Sequence, residues 1–208
     1  MSEVITPQIY LCTPPQIELS SFPGELARIL DTVEIACVRL SLTSEDESVL
    51  SRSADALREV CHARDIPVVI DKHYRLVGPH GLDGVHLETA AKQIRDVRKE
   101  LHKDAIIGAY CGIQRHAGMT AGEIGADYIT FGPVSTPDLL GDGKTADVDL
   151  FQWWSEMIEV PVVAEGGLTR EKIVELVPYT DFFSLSSEVW DTPDALTTLK
   201  EIKTLLDG

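Results

Sequence analysis

Short runs of apolar and β-branched residues recur along the chain, and this repeat constrains the fold more than any other feature. Most of the runs are continuous rather than alternating, which is typical of parallel strands covered on both faces. Segments with the apolar spacing of helices separate most of them. The eight runs are residues 9–12, 35–38, 68–70, 84–87, 105–109, 128–131, 162–164 and 182–185.

Eight strand–helix units in 208 residues predict a TIM barrel, the (β/α)8 fold of the α/β class, as a single domain over residues 1–208. A doubly wound open sheet is the alternative. It is disfavoured because no Gly-x-Gly-x-x-Gly motif follows the first run, where the chain reads Thr13-Pro14-Pro15.

The charge balance limits the classes of partner that the chain is expected to bind. Eighteen basic and 34 acidic side chains give a net charge of −16, and phosphate backbones are bound by clusters of Lys and Arg. We therefore expect no nucleic acid partner. The sequence shows no apolar stretch of about 20 residues and no basic-then-apolar leader, so we expect no membrane partner and a cytoplasmic location.

The loops after the seventh and eighth runs are candidates for binding a phosphate. Gly166 and Gly167 follow one run, and Ser186 and Ser187 follow the other. In barrels of this type the phosphate site is often built from these two loops, since glycine allows the backbone N–H groups to approach an anion closely. The alternative is a tight turn and a pair of helix caps.

A long loop follows the sixth run. It begins near Thr136 and continues through a polar stretch that contains Lys144 and reaches Asp147. Loops of this kind can close over a substrate, so we expect Thr136 and Lys144 to contribute to substrate binding. A solvated connection without a role in binding is the alternative.

Four sequence blocks occur in order and together resemble the thiamine-phosphate synthase/TenI family over nearly the whole chain. They are residues 81–87 (GLDGVHL), 125–129 (GADYI), 132–134 (GPV) and 161–168 (PVVAEGGL). The resemblance implies a (β/α) barrel. It also implies one of two activities. The synthase joins hydroxymethylpyrimidine diphosphate to hydroxyethylthiazole phosphate and releases diphosphate with magnesium, whereas the TenI branch tautomerises a thiazole carboxylate phosphate.

The half of the site that would bind diphosphate departs from the family pattern. Where the resemblance implies aspartates that bind magnesium, this chain has Lys72 and Ala91. Asp71 matches the first of these positions only if the strand slips by one residue, which would turn its side chains to the opposite faces. Magnesium therefore remains possible from the resemblance, with Asp71 as its candidate ligand, but these replacements weigh against it.

Five side chains are candidates for the remaining chemistry. We expect Lys72 and Arg39 to hold a phosphate or carboxylate without metal, and Glu165 to act as a general base or hydrogen-bond acceptor. His116 is a candidate for proton transfer, because histidine titrates near neutral pH. His86 belongs to a family-like block and is expected near the site. A solvated loop lysine is the alternative for Lys72.

The sequence thus predicts a thiamine-phosphate-synthase-like transferase of thiamine biosynthesis with two small phosphorylated substrates, a thiazole phosphate and a pyrimidine diphosphate. A TenI-like tautomerase is one alternative, since residues 108–112 (GAYCG) match neither branch. A catalytically silent protein that binds a phosphorylated ligand is another. Phe151, Trp153, Trp154 and Met157 form the packing face of a helix or, alternatively, a homodimer contact.

Overall fold

Eight parallel strands close into a barrel in this computed structural model, which describes residues 6–88, 90–135 and 144–208, apart from the side chains of residues 90–92. Each strand pairs with the next, and β8 pairs with β1. The (β/α)8 fold is therefore confirmed. The strands are β1 Gln8–Cys12, β2 Cys37–Leu40, β3 Val68–Asp71, β4 Gly84–Leu87, β5 Ile106–Tyr110, β6 Tyr128–Phe131, β7 Val162–Glu165 and β8 Phe182–Leu185.

Helices connect the strands around the outside of the barrel. No helix of the described residues is long and apolar enough to cross a membrane. The segment after β3 contains a 3₁₀ turn at Tyr74–Leu76 followed by α3. The helices are α1 Phe22–Leu30, α2 Glu47–His62, α3 Val77–His80, α4 Ala90–Glu100, α5 Arg115–Glu123, α6 Val148–Met157, α7 Arg170–Leu176, α8 Ser187–Trp190 and α9 Ala195–Asp207.

The barrel has a double core. Side chains on the outer faces of the strands pack against the helices, where the Phe131 ring meets that of Trp154 edge-on with centroids 5.1 Å apart. A smaller cluster fills the interior, formed by inward residues that alternate with the outward ones along each strand. Phe151 and Trp154 are fully buried, as expected. The prediction that Met157 belongs to the packing face is wrong, since Met157 is 63% exposed.

Gly84 shows how closely the strands approach at the amino end of β4. A Cβ atom added there would lie 1.9 Å from the carbonyl oxygen of Ile106 on β5. We expect Gly84→Ala to lower the free energy of unfolding by about 1–3 kcal/mol, because β4 and β5 must separate. Gly24→Ala in α1 is the matched control, since nothing lies within 4 Å of its added Cβ. Urea unfolding that gives equal losses for both variants would contradict this account.

Candidate active site

A buried ion triad links three strands at the carboxyl end of the barrel. Arg39 on β2 lies between two carboxylates, and its side chain is only 8% exposed. Its Nη1 donates a hydrogen bond of 3.0 Å to Oε2 of Glu165 on β7. Its Nε lies 3.3 Å from Oδ1 of Asp71 on β3, an ion contact that lacks hydrogen-bond geometry. The guanidinium also lies over the ring of Tyr10, 5.5 Å from its centroid.

The position of Arg39 follows from the observed bounds of β2. The strand was predicted at residues 35–38, but it begins at Cys37 and ends at Leu40, so Arg39 is an inward residue of the strand itself. Burial raises the pKa of Asp71, and the lowering by Arg39 and by a hydrogen bond from the Ser41 hydroxyl offsets this only in part. The charge of Arg39 is thus already matched by protein carboxylates.

A second network lies inside the barrel, next to the triad. The Tyr128 hydroxyl lies 3.0 Å from Nδ1 of His86 and 2.6 Å from the hydroxyl of Tyr10. The His86 ring stacks on the Tyr128 ring with an interplanar angle of 19°. Gly108 makes this possible, because a Cβ there would lie 2.0 Å from the Tyr128 ring. His86 is therefore held in one orientation near the site, where the sequence placed it.

His86 is neutral at pH 7, because burial, and then the positive charge of Arg39, lowers its pKa well below the usual 6.5. In the unfolded chain the His86 ring takes up a proton near pH 6.5, whereas in the folded protein it stays neutral at that pH. The free energy of unfolding therefore falls below pH 6.5 by up to about 1.4 kcal/mol per pH unit. We expect His86→Gln to flatten this loss. Urea unfolding at pH 7.5, 6.5 and 5.5 measures it, with the exposed His102→Gln as control. Parallel curves for His86→Gln and the unsubstituted protein would refute the assignment.

Lys72 lies at the rim of the barrel, directly after β3. Its backbone is left-handed, with a φ of 54°. Its Nζ lies 3.3 Å from Oε1 of Glu88 and 3.9 Å from Oε1 of Glu45. A cavity of about 440 Å³ opens beside it, and its lining includes Arg75 and His73 together with Glu47 of α2. Lys72 and Arg39 therefore occupy different environments, one at the rim and the other inside the barrel.

The residues that would hold magnesium do not form a metal site as they stand. Asp71 faces the barrel interior, where it is bound to Arg39 and Ser41 rather than turned toward Lys72. The gap between Glu45 and Glu88 holds the ammonium group of Lys72. Within the described part of the chain, no group of three or more His, Cys, Asp or Glu side chains could bind a metal ion. The Ala91 side chain lies outside the described residues.

The loop after β7 begins with two consecutive glycines in left-handed conformations. Gly166 and Gly167 have φ values of 81° and 71°. The loop contacts the segment after β6, where the Ser135 hydroxyl donates to the Gly167 carbonyl at 2.6 Å and Val134 N donates to the Gly166 carbonyl at 2.8 Å. A Cβ on Gly167 would lie 2.3 Å from the Ser135 carbonyl oxygen, so the position requires glycine.

Glu188 ties the β7 and β8 loops together, and sequence reasoning missed it. Its Oε1 accepts a hydrogen bond of 3.1 Å from Leu168 N, and its Oε2 accepts one of 3.0 Å from Ser186 N. Ser186 is the N-cap position of α8, and Ser187 is its first residue. The two predicted phosphate loops are therefore adjacent and fixed by one carboxylate, a link that the spacing of residues in the sequence does not show.

Of the remaining predicted site residues, the structure does not bring His116 together with these groups. His116 is exposed in the first turn of α5, and Lys144 is exposed where the described chain resumes before α6. Thr136 and most of the predicted lid lie outside the described residues. In contrast, Tyr110 lies at the mouth of the barrel, although the sequence did not predict it there. Its hydroxyl donates to the Gly132 carbonyl at 2.7 Å. Burial, and then the charge of Glu165, raises its pKa.

Comparisons with known proteins agree with one another. The family model described as thiamine monophosphate synthase matches residues 9–187. A thiamine-phosphate synthase of Rhodospirillum centenum is 37% identical over 187 residues, 89% of this chain and 90% of its own. One of Erythrobacter litoralis is 33% identical, with coverages of 91% and 92%. The solved structure of a thiamine phosphate pyrophosphorylase from Pyrococcus furiosus has the same fold, with a TM-score of 0.82, 20% identity and coverages of 98% and 97%.

Proposed function

The chain belongs to the thiamine monophosphate synthase family, and on that premise we propose that it joins hydroxymethylpyrimidine diphosphate to hydroxyethylthiazole phosphate and releases diphosphate. The observation that carries the proposal is the arrangement of the barrel mouth. The Gly166-Gly167 loop begins directly after Glu165, the residue that binds Arg39. An anion held by the loop therefore lies beside the buried ion triad.

The thiazole phosphate is assigned to the loops after β7 and β8. We assign the backbone N–H groups of Gly166, Gly167 and Ser187 to the phosphate, with the Ser186 and Ser187 hydroxyls as further donors. Glu188 takes no part in binding the phosphate. Instead it holds Leu168 N and Ser186 N, so the two loops keep their spacing before the substrate arrives. Such preorganisation reduces the ordering that binding would otherwise require.

The buried ion triad is assigned to the bond-breaking step. The C–O bond between the pyrimidine methylene and the diphosphate breaks, and both electrons leave with the diphosphate. The thiazole nitrogen then donates its lone pair to the methylene carbon to form the new C–N bond. The triad sets two carboxyl groups, those of Asp71 and Glu165, against the single guanidinium of Arg39. A carboxylate held in this partly buried position stabilises the cation that develops between these two events.

Two further proposals concern where the protein acts and how it assembles. We place the reaction in the cytoplasm, which suits the four buried free thiols, Cys12, Cys37, Cys61 and Cys111.

We assign a homodimer contact to the α6 surface, where Trp153 is partly buried beneath Arg115 and Met157 is exposed. Light scattering that gives the mass of a single chain at micromolar concentration would contradict the homodimer.

Incubation of the protein with both proposed substrates tests the function. We expect thiamine phosphate and diphosphate to form in equal amounts, measured by chromatography and by phosphorus NMR. Isomerisation of thiazole carboxylate phosphate without coupling would instead identify a tautomerase. Binding of thiazole phosphate without any product would identify a silent phosphate-binding protein. Either result would overturn the proposed reaction.

A further inference from the structure

We infer that the ammonium group of Lys72, rather than a magnesium ion, is the cation that neutralises the diphosphate in this protein. The inference rests on the proposed function, because it concerns the leaving group of that reaction. It starts from the mismatch between the rim of the barrel and a metal site. Lys72 is the residue that holds the two rim carboxylates Glu45 and Glu88.

The backbone at Lys72 is left-handed, and hydrogen bonds on both sides of the residue fix it. A residue other than glycine with a φ of 54° is uncommon, and such conformations persist only where the surrounding structure fixes them. Here Lys72 N donates to the His86 carbonyl at 2.9 Å, and Tyr74 N donates to the Lys72 carbonyl at 2.8 Å. Strained residues of this kind cluster at binding and catalytic sites, so the strain points to a functional lysine.

A magnesium ion does not suit the same place. Bound to Glu88 Oε1 at about 2.1 Å, the ion would lie at most about 5.4 Å from Nζ of Lys72, since that oxygen is 3.3 Å from Nζ. The like charges would repel at this distance. Asp71, the other candidate ligand, is bound to Arg39 and Ser41 inside the barrel.

The glutamates hold Lys72 only loosely, and this leaves it available to an anion. Glu45 and Glu88 are 71% and 60% exposed. Exposed ion pairs of this kind contribute little, so phosphate oxygens can replace the carboxylates at Nζ. The adjacent cavity of about 440 Å³ provides space for the group, and its lining sets the positive charges of Lys72 and Arg75 against the carboxylates of Glu45 and Glu47.

Calorimetric titration of the intact protein with inorganic diphosphate tests the inference. We expect binding in EDTA to be at least as tight as in magnesium chloride. Lys72→Asn tolerates the left-handed backbone and removes the charge, so it should weaken binding in EDTA at least about tenfold. Lys99→Ala on α4 is the matched control, since Lys99 is 77% exposed. Among the described residues Lys99 pairs with Asp96 alone, so this variant should leave the affinity unchanged.

Two further variants separate the lysine from a hidden metal site. Glu88→Gln removes the charge that pairs with Lys72, so it should tighten diphosphate binding about twofold to fivefold. If Glu88 instead bound magnesium, the same variant would bind diphosphate more weakly in magnesium chloride. Lys72→Asp restores a carboxylate and should make binding depend on magnesium. Diphosphate binding that requires magnesium in the unsubstituted protein, or no binding in either buffer, would overturn the inference. Absence of thiamine phosphate formation alongside Lys72-dependent binding in EDTA would overturn the proposed reaction alone.

Discussion

Replacing Arg39 by methionine is expected to lower the free energy of unfolding at pH 7 by about 3–5 kcal/mol. Methionine fills much of the same space, but it leaves Asp71 and Glu165 without their shared cation in the barrel mouth. Breaking a buried ion cluster by removing one partner is costly, because the remaining charges stay buried and unpaired. Urea unfolding measures the loss. The exposed Arg52→Met on α2 is the control, expected within about 0.5 kcal/mol of the unsubstituted protein.

The pH dependence of this loss identifies its electrostatic origin. Burial already raises the pKa of Asp71, and removing Arg39 takes away a group that lowers it. A carboxyl whose folded pKa exceeds its unfolded pKa of about 3.9 destabilises the fold as pH rises between the two values. The difference between Arg39→Met and the unsubstituted protein should therefore grow from pH 4 to pH 7. Adding Asp71→Asn and Glu165→Gln should recover part of the loss. A deficit independent of pH would indicate a packing effect instead.

The fold was predictable because most of the strands are encoded locally. Seven of the eight strands were located within about one residue, since continuous apolar runs are long enough to be recognised without their neighbours. The second strand was misplaced because Arg39 breaks the apolar pattern. Its burial depends on Glu165, 126 residues away in the chain, and this pairing cannot be read from local composition.

Helix starts were less well predicted than strands. The pair Thr43 and Asp46 suggests a capping box, but α2 begins at Glu47 and Asp46 is its cap, accepting hydrogen bonds from Ser48 N and Val49 N. Near the end of the chain, the residue types of Asp191 and Thr192 favour a helix cap, whereas α9 begins at Ala195. Several Asp, Ser and Thr residues compete at each start, and tertiary packing decides among them.

The site was predictable where it depends on chain position and not where it depends on register. The sequence placed Glu165 and the glycine pair at the carboxyl end of β7, as the structure has them, because this end of the strands is a known binding position in barrels. Their roles in binding stay predictions. The Tyr10–Tyr128–His86 network was missed, although these residues occupy inward positions on their strands. Its contacts require that β1, β4 and β6 align across the barrel and that Gly108 leave room. Neither condition is visible in one sequence.

Gly167→Ala should weaken the binding of thiazole phosphate about 10- to 100-fold, as expected from losing one or two hydrogen bonds to a charged group. The left-handed backbone at φ 71° disfavours alanine, and its Cβ would lie 2.3 Å from the Ser135 carbonyl oxygen and 2.5 Å from the Ser135 hydroxyl. Because Ser135 also donates to the Gly167 carbonyl, the loop must shift as a whole. The N–H groups proposed to bind the phosphate would shift with it. Calorimetric titration with hydroxyethylthiazole phosphate measures the effect.

Gly125→Ala distinguishes the effect of displacing the β7 loop from the effect of backbone strain alone. Gly125 also has a positive φ, 104°, but nothing lies within 4 Å of its added Cβ. It precedes β6, at the amino end of the barrel and away from the proposed phosphate. Both variants should lose stability, since both force alanine into a conformation that costs about 1–2 kcal/mol, but only Gly167→Ala should lose affinity. Equal affinities in the two variants would mean that the β7 loop does not hold the phosphate, and the assignment of the substrate to this end of the barrel would fail with it.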